Sequence, residues 1–210
     1  MKRRQLTHGL VAAWATGVLP GLSERAARAA QSDAGEKVLR YAFPVAETGF
    51  DPAQLSDLYS RIATAHIFDA PLTYDHLARP FKLKPLVAEA MPEISADFRT
   101  FTFHIKPGIY FADDPAFKGK RRELVAEDFV YSFKRIYDPK LKSPGQSILE
   151  DEKIIGLQEL YDAAVKGKKP FDYDSKVEGL QAVDRYTVRV RLRESRPRHL
   201  YAWAARDVYG

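Results

Sequence analysis

Thr100-Phe101-Thr102-Phe103-His104-Ile105, then Lys106-Pro107-Gly108, then Ile109-Tyr110-Phe111: the reading of this stretch decides the fold. Phe101, Phe103 and Ile105 recur at every second residue and share one face of a pleated strand. Pro107-Gly108 is turn chemistry, so the aromatic run after it is expected to return as the second strand of a hairpin. A polar loop then leads to Ala126, Phe129, Val130, Phe133, Ile136 and Tyr137, which fall at helical spacing. That helix is expected to stop at Asp138-Pro139, because the residue before a proline is pushed out of the helical region. Hairpin and helix together make a scaffold, with no catalytic apparatus in it.

Working outward, Tyr186, Val188, Val190 and Leu192 alternate with Arg185, Thr187, Arg189, Arg191 and Arg193. The period of two predicts a strand with one buried and one charged face. Before it, residues 154–165 form an amphipathic stretch that Lys166-Gly167-Lys168-Lys169-Pro170 terminates. Toward the other end, Val38-Leu39-Arg40-Tyr41-Ala42-Phe43 reads as a strand closed by Pro44. In Glu47-Thr48-Gly49-Phe50-Asp51-Pro52, Gly49 permits a positive φ, and Asp51-Pro52 can open a helix with Pro near its first position. Leu55, Leu58, Tyr59 and Ile62 then predict one apolar helical stripe. Pro71, Pro80, Pro85 and Pro92 confine residues 70–95 to short elements.

With 210 residues, 45% of them apolar and 12% aromatic, the chain can bury a sizeable core as one domain, or one domain and part of another. Its formal charge is +5, from 33 basic and 28 acidic residues. Setting aside Lys2, Arg3, Arg4, Arg25 and Arg28, and with them Glu24, leaves 28 basic and 27 acidic residues. The basic footprint of a nucleic-acid binder is therefore missing. Residues 1–29 read as a cleavable export signal: basic Lys2-Arg3-Arg4, a short apolar run over residues 10–19, Pro20-Gly21, and small residues around Ala27-Arg28-Ala29. Arg3-Arg4-Gln5-Leu6-Thr7 also approximates a twin-arginine signal, so either the Sec or the twin-arginine route fits. The apolar run is about half of the roughly 20 residues a membrane-crossing helix needs. The cysteine count is zero, which removes lipid anchoring through cysteine, disulfides and thiolate chemistry. A soluble protein of a bacterial periplasm fits best.

Several segments carry a resemblance. Thr100 to Gly108 with the helix from Ala126-Glu127-Asp128-Phe129-Val130, Lys84-Pro85-Leu86-Val87-Ala88-Glu89, Ile94-Ser95-Ala96-Asp97, and Val177-Glu178-Gly179-Leu180-Gln181-Ala182-Val183-Asp184 with the alternating strand occur in one order and spacing. That pattern resembles the family 5 extracellular solute-binding proteins, the peptide and nickel receptors of ABC importers. Met91-Pro92 replaces the family's usual tryptophan, and Phe111-Ala112-Asp113-Asp114-Pro115-Ala116-Phe117 replaces its Phe-x-Asp-Gly loop. The resemblance implies an α/β, type II periplasmic-binding-protein fold with a mixed sheet, of which only the first lobe is represented. Within residues 30–210, it implies that 38–50 and 177–193 form the sheet subdomain, that 53–170 form an inserted subdomain, and that 194–210 start a continuation. Leu200, Tyr201, Trp203, Ala204 and Val208 open an apolar pattern with no closing cap, so the chain is expected to be the N-terminal part of a receptor that binds weakly alone.

The function this implies is capture of a small solute between two lobes and delivery to an inner-membrane ABC permease, with the ATPase on a separate chain. The receptor is expected to be monomeric, to need no cofactor and to do no covalent chemistry. An oligopeptide-like ligand would be held partly by strand-like backbone pairing. Peptide, opine, sugar and metal chelate are not distinguished by these residues. The cleft candidates are Ala46, Glu47, Thr48, Gly49 and Phe50, the loop leaving the first strand, where a cleft forms in an open α/β sheet.

Other chemistry has weaker support. His8, His66, His76, His104 and His199 show no metal-ligand spacing. Asp113-Asp114 is turn composition, and Glu127 and Asp128 sit where a helix N-terminus favours negative charge. Lys118-Gly119-Lys120-Arg121-Arg122 and residues 166–169 read as solvated loops. No nucleophile elbow or phosphate loop occurs. The alternatives are a periplasmic hydrolase, whose machinery would lie elsewhere, and a single-lobe interaction module.

Overall fold

The computed structural model describes residues 37–204; the export-signal reading and Val208 lie outside them. The chain divides into two units, residues 1–42 and 43–210. Of the first, residues 37–42 form no strand, and Val38, Leu39 and Tyr41 are exposed. The strand expected over residues 38–43 is thus not formed, because no ladder partner meets it among the described residues, and an apolar and aromatic run alone does not make a strand.

The second unit carries α1 (Leu58–Thr64), β1 (Leu72–Asp75), β2 (Lys82–Pro85), β3 (Glu93–Ile94), β4 (Thr100–His104), α2 (Ala126–Ile136), α3 (Gln146–Asp151), α4 (Leu157–Gly167), β5 (Leu180–Ala182) and β6 (Thr187–Arg191). Single 3-10 turns lie at Pro52–Gln54 and Pro115–Phe117, and a two-turn 3-10 helix at His199–Ala204. β1 and β2 pair by themselves, while the larger sheet runs β3-β4-β6-β5, every pairing antiparallel.

β6 follows the alternation expected of it. Val188, Val190 and Leu192 are buried while Arg189, Arg191 and Arg193 face solvent, although Tyr186 is only half-buried and Thr187 is buried. Val190 lies opposite Phe101 and Val188 opposite Phe103, so two apolar rows meet on one face. Ala126, Phe129, Val130, Phe133, Ile136 and Tyr137 of the α2 region pack into the same core. Trp203 closes it, its ring 4.1 Å from Phe103 and 4.8 Å from Phe133.

The expected hairpin of residues 100–111 does not form. β4 has β6 along one edge and β3 on the other, where Glu89 N–H also donates to the His104 carbonyl at 2.7 Å. With both edges filled by distant partners, Ile109-Tyr110-Phe111 pairs with residues 122–124 instead: Phe111 N–H reaches the Arg122 carbonyl at 2.9 Å and Leu124 N–H the Ile109 carbonyl at 2.8 Å. Gly108 does take the positive φ that its turn demands, +80°.

The stripe of Leu55, Leu58, Tyr59 and Ile62 is also broken. The chain makes a short 3-10 turn and starts again at Asp57, so Leu55 is buried but Leu58 is 64% exposed. α1 turns Ser60 and Thr64 inward, where Thr64 Oγ1 donates to the Ser60 carbonyl at 3.0 Å. Thr100–His104, from the segment expected as an insertion, and Thr187–Arg191 share one ladder and one core.

Candidate functional site

Of the five cleft candidates, Ala46, Glu47, Thr48 and Phe50 are exposed and Gly49 is half-buried. Thr48 ties the loop to the start of α1: its N–H donates to Ser60 Oγ at 2.8 Å and its hydroxyl to Asp57 Oδ2 at 2.5 Å. Asp57 caps the helix in turn, its Oδ1 accepting from Ser60 N–H at 2.8 Å. The Ser60 backbone donor, with the Thr48 and Ser60 hydroxyls, holds the Asp57 carboxyl down at about 2, from an ordinary 3.8. Just beyond the loop, Asp51 caps the 3-10 turn through Ala53 N–H at 3.1 Å and pairs with Arg135 of α2 at 2.7 Å. The loop is therefore fastened through Thr48 and its flanks, while Phe50 stays half exposed to water. Gly49 is not at positive φ, so the conformational freedom expected of it is unused.

Sequence reasoning missed a groove of 510 Å³ beside α2, walled by Phe68, Ile109, Phe111, Phe117 and Tyr131. Arg122 sits at its rim, over the Phe111 ring at 4.4 Å and paired with Asp128. The alternating aromatics after Gly108 were the available signal, hidden because they read as a hairpin strand.

Three further carboxylates have a structural task. Asp114 caps the turn at Pro115–Phe117 through Ala116 N–H at 2.8 Å. Asp128 accepts from Val125 N–H at 2.8 Å. Glu123 accepts from Gly108 N–H at 2.7 Å, Tyr186 hydroxyl at 3.0 Å and Arg185 at 2.7 Å, and these donors, Arg185 first, lower its carboxyl. His66 bonds the Ile62 carbonyl and His104 meets Thr187, so these histidines are engaged within the fold. No group of three or more metal-ligating side chains is assembled among the described residues.

The pattern described as bacterial extracellular solute-binding proteins, family 5 Middle, matches residues 82–207. The chain belongs to that family. Among family 5 relatives, the periplasmic oligopeptide-binding protein OppA of Salmonella typhimurium is 29% identical over 87% of this chain and 31% of its own length. Di/tripeptide-binding protein 2 of Pseudomonas aeruginosa is 35% identical over 54% of this chain and 21% of its own length. The crystal structure of Haemophilus influenzae OppA in complex with RPPGFSPFR superimposes with a TM-score of 0.60 at 25% identity, covering 76% of this chain and 27% of that one. The chain thus spans less than a third of the length of these relatives. Its mixed α/β architecture is that of part of a lobe of the periplasmic peptide-binding fold.

Proposed function

We propose that this chain serves the periplasmic receptor of an ABC importer, supplying part of the lobe against which a peptide-like solute is captured for delivery to an inner-membrane permease. The observation that carries the reading is the family 5 match over residues 82–207 together with relatives whose names state oligopeptide or di/tripeptide binding. The receptor acts by binding alone, a reading supported by the engagement of Asp114, Asp128 and Glu123 in caps and an ion pair. Export across the inner membrane brings it to the periplasm, and it works as a monomer.

Ala46, Glu47, Thr48, Gly49 and Phe50 form the ligand-facing loop. Its fastening through Thr48, Ser60 and Asp57 supports this, because a contact surface fixed beforehand loses little freedom when ligand arrives. Backbone pairing in the manner of an added strand gives affinity across many peptide sequences. A tripeptide carrying a photoreactive phenylalanine, cross-linked to the full-length gene product and mapped by mass spectrometry, tests the assignment. Labelling of residues 46–50 that excess unlabelled peptide suppresses is the expected result. Saturable labelling confined to other residues overturns the loop assignment, and absence of competable labelling overturns the peptide reading.

A further inference from the structure

Tyr74, Phe81 and Tyr201 stand as an open cluster of three rings beside Arg198, around a cavity of 470 Å³. Tyr74 lies opposite Leu83 in the β1–β2 register, and Phe81, two residues before Leu83, falls on that same side of the hairpin. Tyr201 arrives from the other end of the chain, between two fully buried anchors, His199 and Trp203. Those anchors are locked together. Trp203 Nε1–H donates to His199 Nε2 at 2.9 Å, and because an indole N–H only donates, the His199 proton sits on Nδ1 and is given to Glu152 at 2.7 Å. Tyr201 is therefore presented from a fixed base.

The rings are nearly equidistant. Tyr74 and Tyr201 lie 6.3 Å apart and almost parallel, at 15°, while Phe81 stands at 6.0 Å and 6.3 Å from them, tilted 64° to each. They remain 39%, 62% and 41% exposed, so a preformed aromatic surface faces water. The neighbouring charge is free to meet an anion. Arg191, Arg193 and Arg196 each hold a glutamate, whereas Arg198 has no carboxylate partner among the described contacts. A guanidinium fork beside aromatic rings is suited to one chemistry: two parallel hydrogen bonds to a planar anion whose apolar ring packs on the aromatic wall. A cationic ligand would meet the Arg198 charge.

We propose that this cleft is a binding site for small aromatic carboxylates, with Arg198 taking the carboxylate and Tyr74, Phe81 and Tyr201 the ring. It uses none of the residues assigned to peptide capture and does not depend on that reading. The test is titration of the full chain with phenylacetate and, separately, benzylamine, followed through the ring proton resonances. Saturable binding of phenylacetate is expected, with benzylamine at least about tenfold weaker, a factor worth about 1.4 kcal/mol. Arg198→Gln and Phe81→Ala, both at exposed positions, should each weaken phenylacetate about tenfold with an unchanged far-ultraviolet circular dichroism spectrum. Failure of phenylacetate to saturate, benzylamine binding equally well, or either variant binding as the parent does would overturn the proposal.

Discussion

Gly179→Ala is the substitution whose consequence the structure states most sharply. A β-carbon added there would lie 2.5 Å from the Ile155 nitrogen and 2.6 Å from the carbonyl oxygens of both Ile155 and Arg191. All three neighbours are backbone, so none can rotate away. Those same groups carry three hydrogen bonds: Gly179 N–H to the Ile155 carbonyl at 2.8 Å, Arg191 N–H to the Gly179 carbonyl at 2.8 Å, and Ile155 N–H to the Arg191 carbonyl at 3.1 Å. Admitting the methyl pushes Gly179 away from Ile155 and from the end of β6 at Arg191 and weakens at least two of these bonds, at about 1 kcal/mol each. Overpacking adds about 1–3 kcal/mol. The expected loss is then about 3–5 kcal/mol, a large part of a domain's stability of about 5–15 kcal/mol. Gly167→Ala is the internal control: its added carbon meets only the Lys169 side chain, at 3.8 Å, and alanine should be neutral or favoured by up to about 1 kcal/mol at this helix end. Urea denaturation followed by tryptophan fluorescence compares both. A Gly179→Ala midpoint within the range of Gly167→Ala would refute the close-packed crossing.

Val190→Asp places an unpaired charge in the core and should cost about 3 kcal/mol or more, while Arg191→Asp, losing an exposed pair with Glu178 at 3.2 Å, should stay within about 1 kcal/mol; equal shifts in a urea midpoint would contradict the β6 register. Asp57 should titrate near 2 in a carbon-detected magnetic resonance series. Because its folded value is depressed, the stability it contributes is present above its ordinary 3.8 and is lost as pH falls through about 2, with the Thr48 resonances moving in step; a midpoint near 4 would remove the cap from the account. His199→Phe strands the Trp203 N–H and the Glu152 carboxylate, an expected cost of about 1–3 kcal/mol in thermal unfolding; a melting temperature unchanged from the parent would show that the chain of hydrogen bonds carries no weight.

What could be read from sequence was whatever a single element dictates. The face of β4 with Phe101 and Phe103, the alternation of β6 and the stripe of α2 follow from side-chain period, and the structure places them accordingly. Pairing partners were harder, because strand edges are chosen by distant segments. β4 took β6, 83 residues on from His104 to Thr187, in preference to its own neighbour after Pro107. The α1 stripe failed for a local reason: the Asp57 cap restarts the helix and rotates Leu58 outward and Ser60 inward. The loop of residues 46–50 was legible as a break between elements, but its fastening by Thr48 was not, since a threonine nine residues before an aspartate has no periodic signature. The three-ring cluster joins residues 74, 81 and 201, a separation no local pattern reveals.

Isothermal calorimetry of the full-length gene product with a library of short peptides, followed by mass spectrometry of the released ligand, tests the central claim most directly. The account predicts saturable binding of at least one peptide, recovered at its original mass. Ligand present at 100 times its dissociation constant should also stabilise the protein by about 2.7 kcal/mol. A library without any saturable member, or peptides recovered as cleaved fragments, would contradict it.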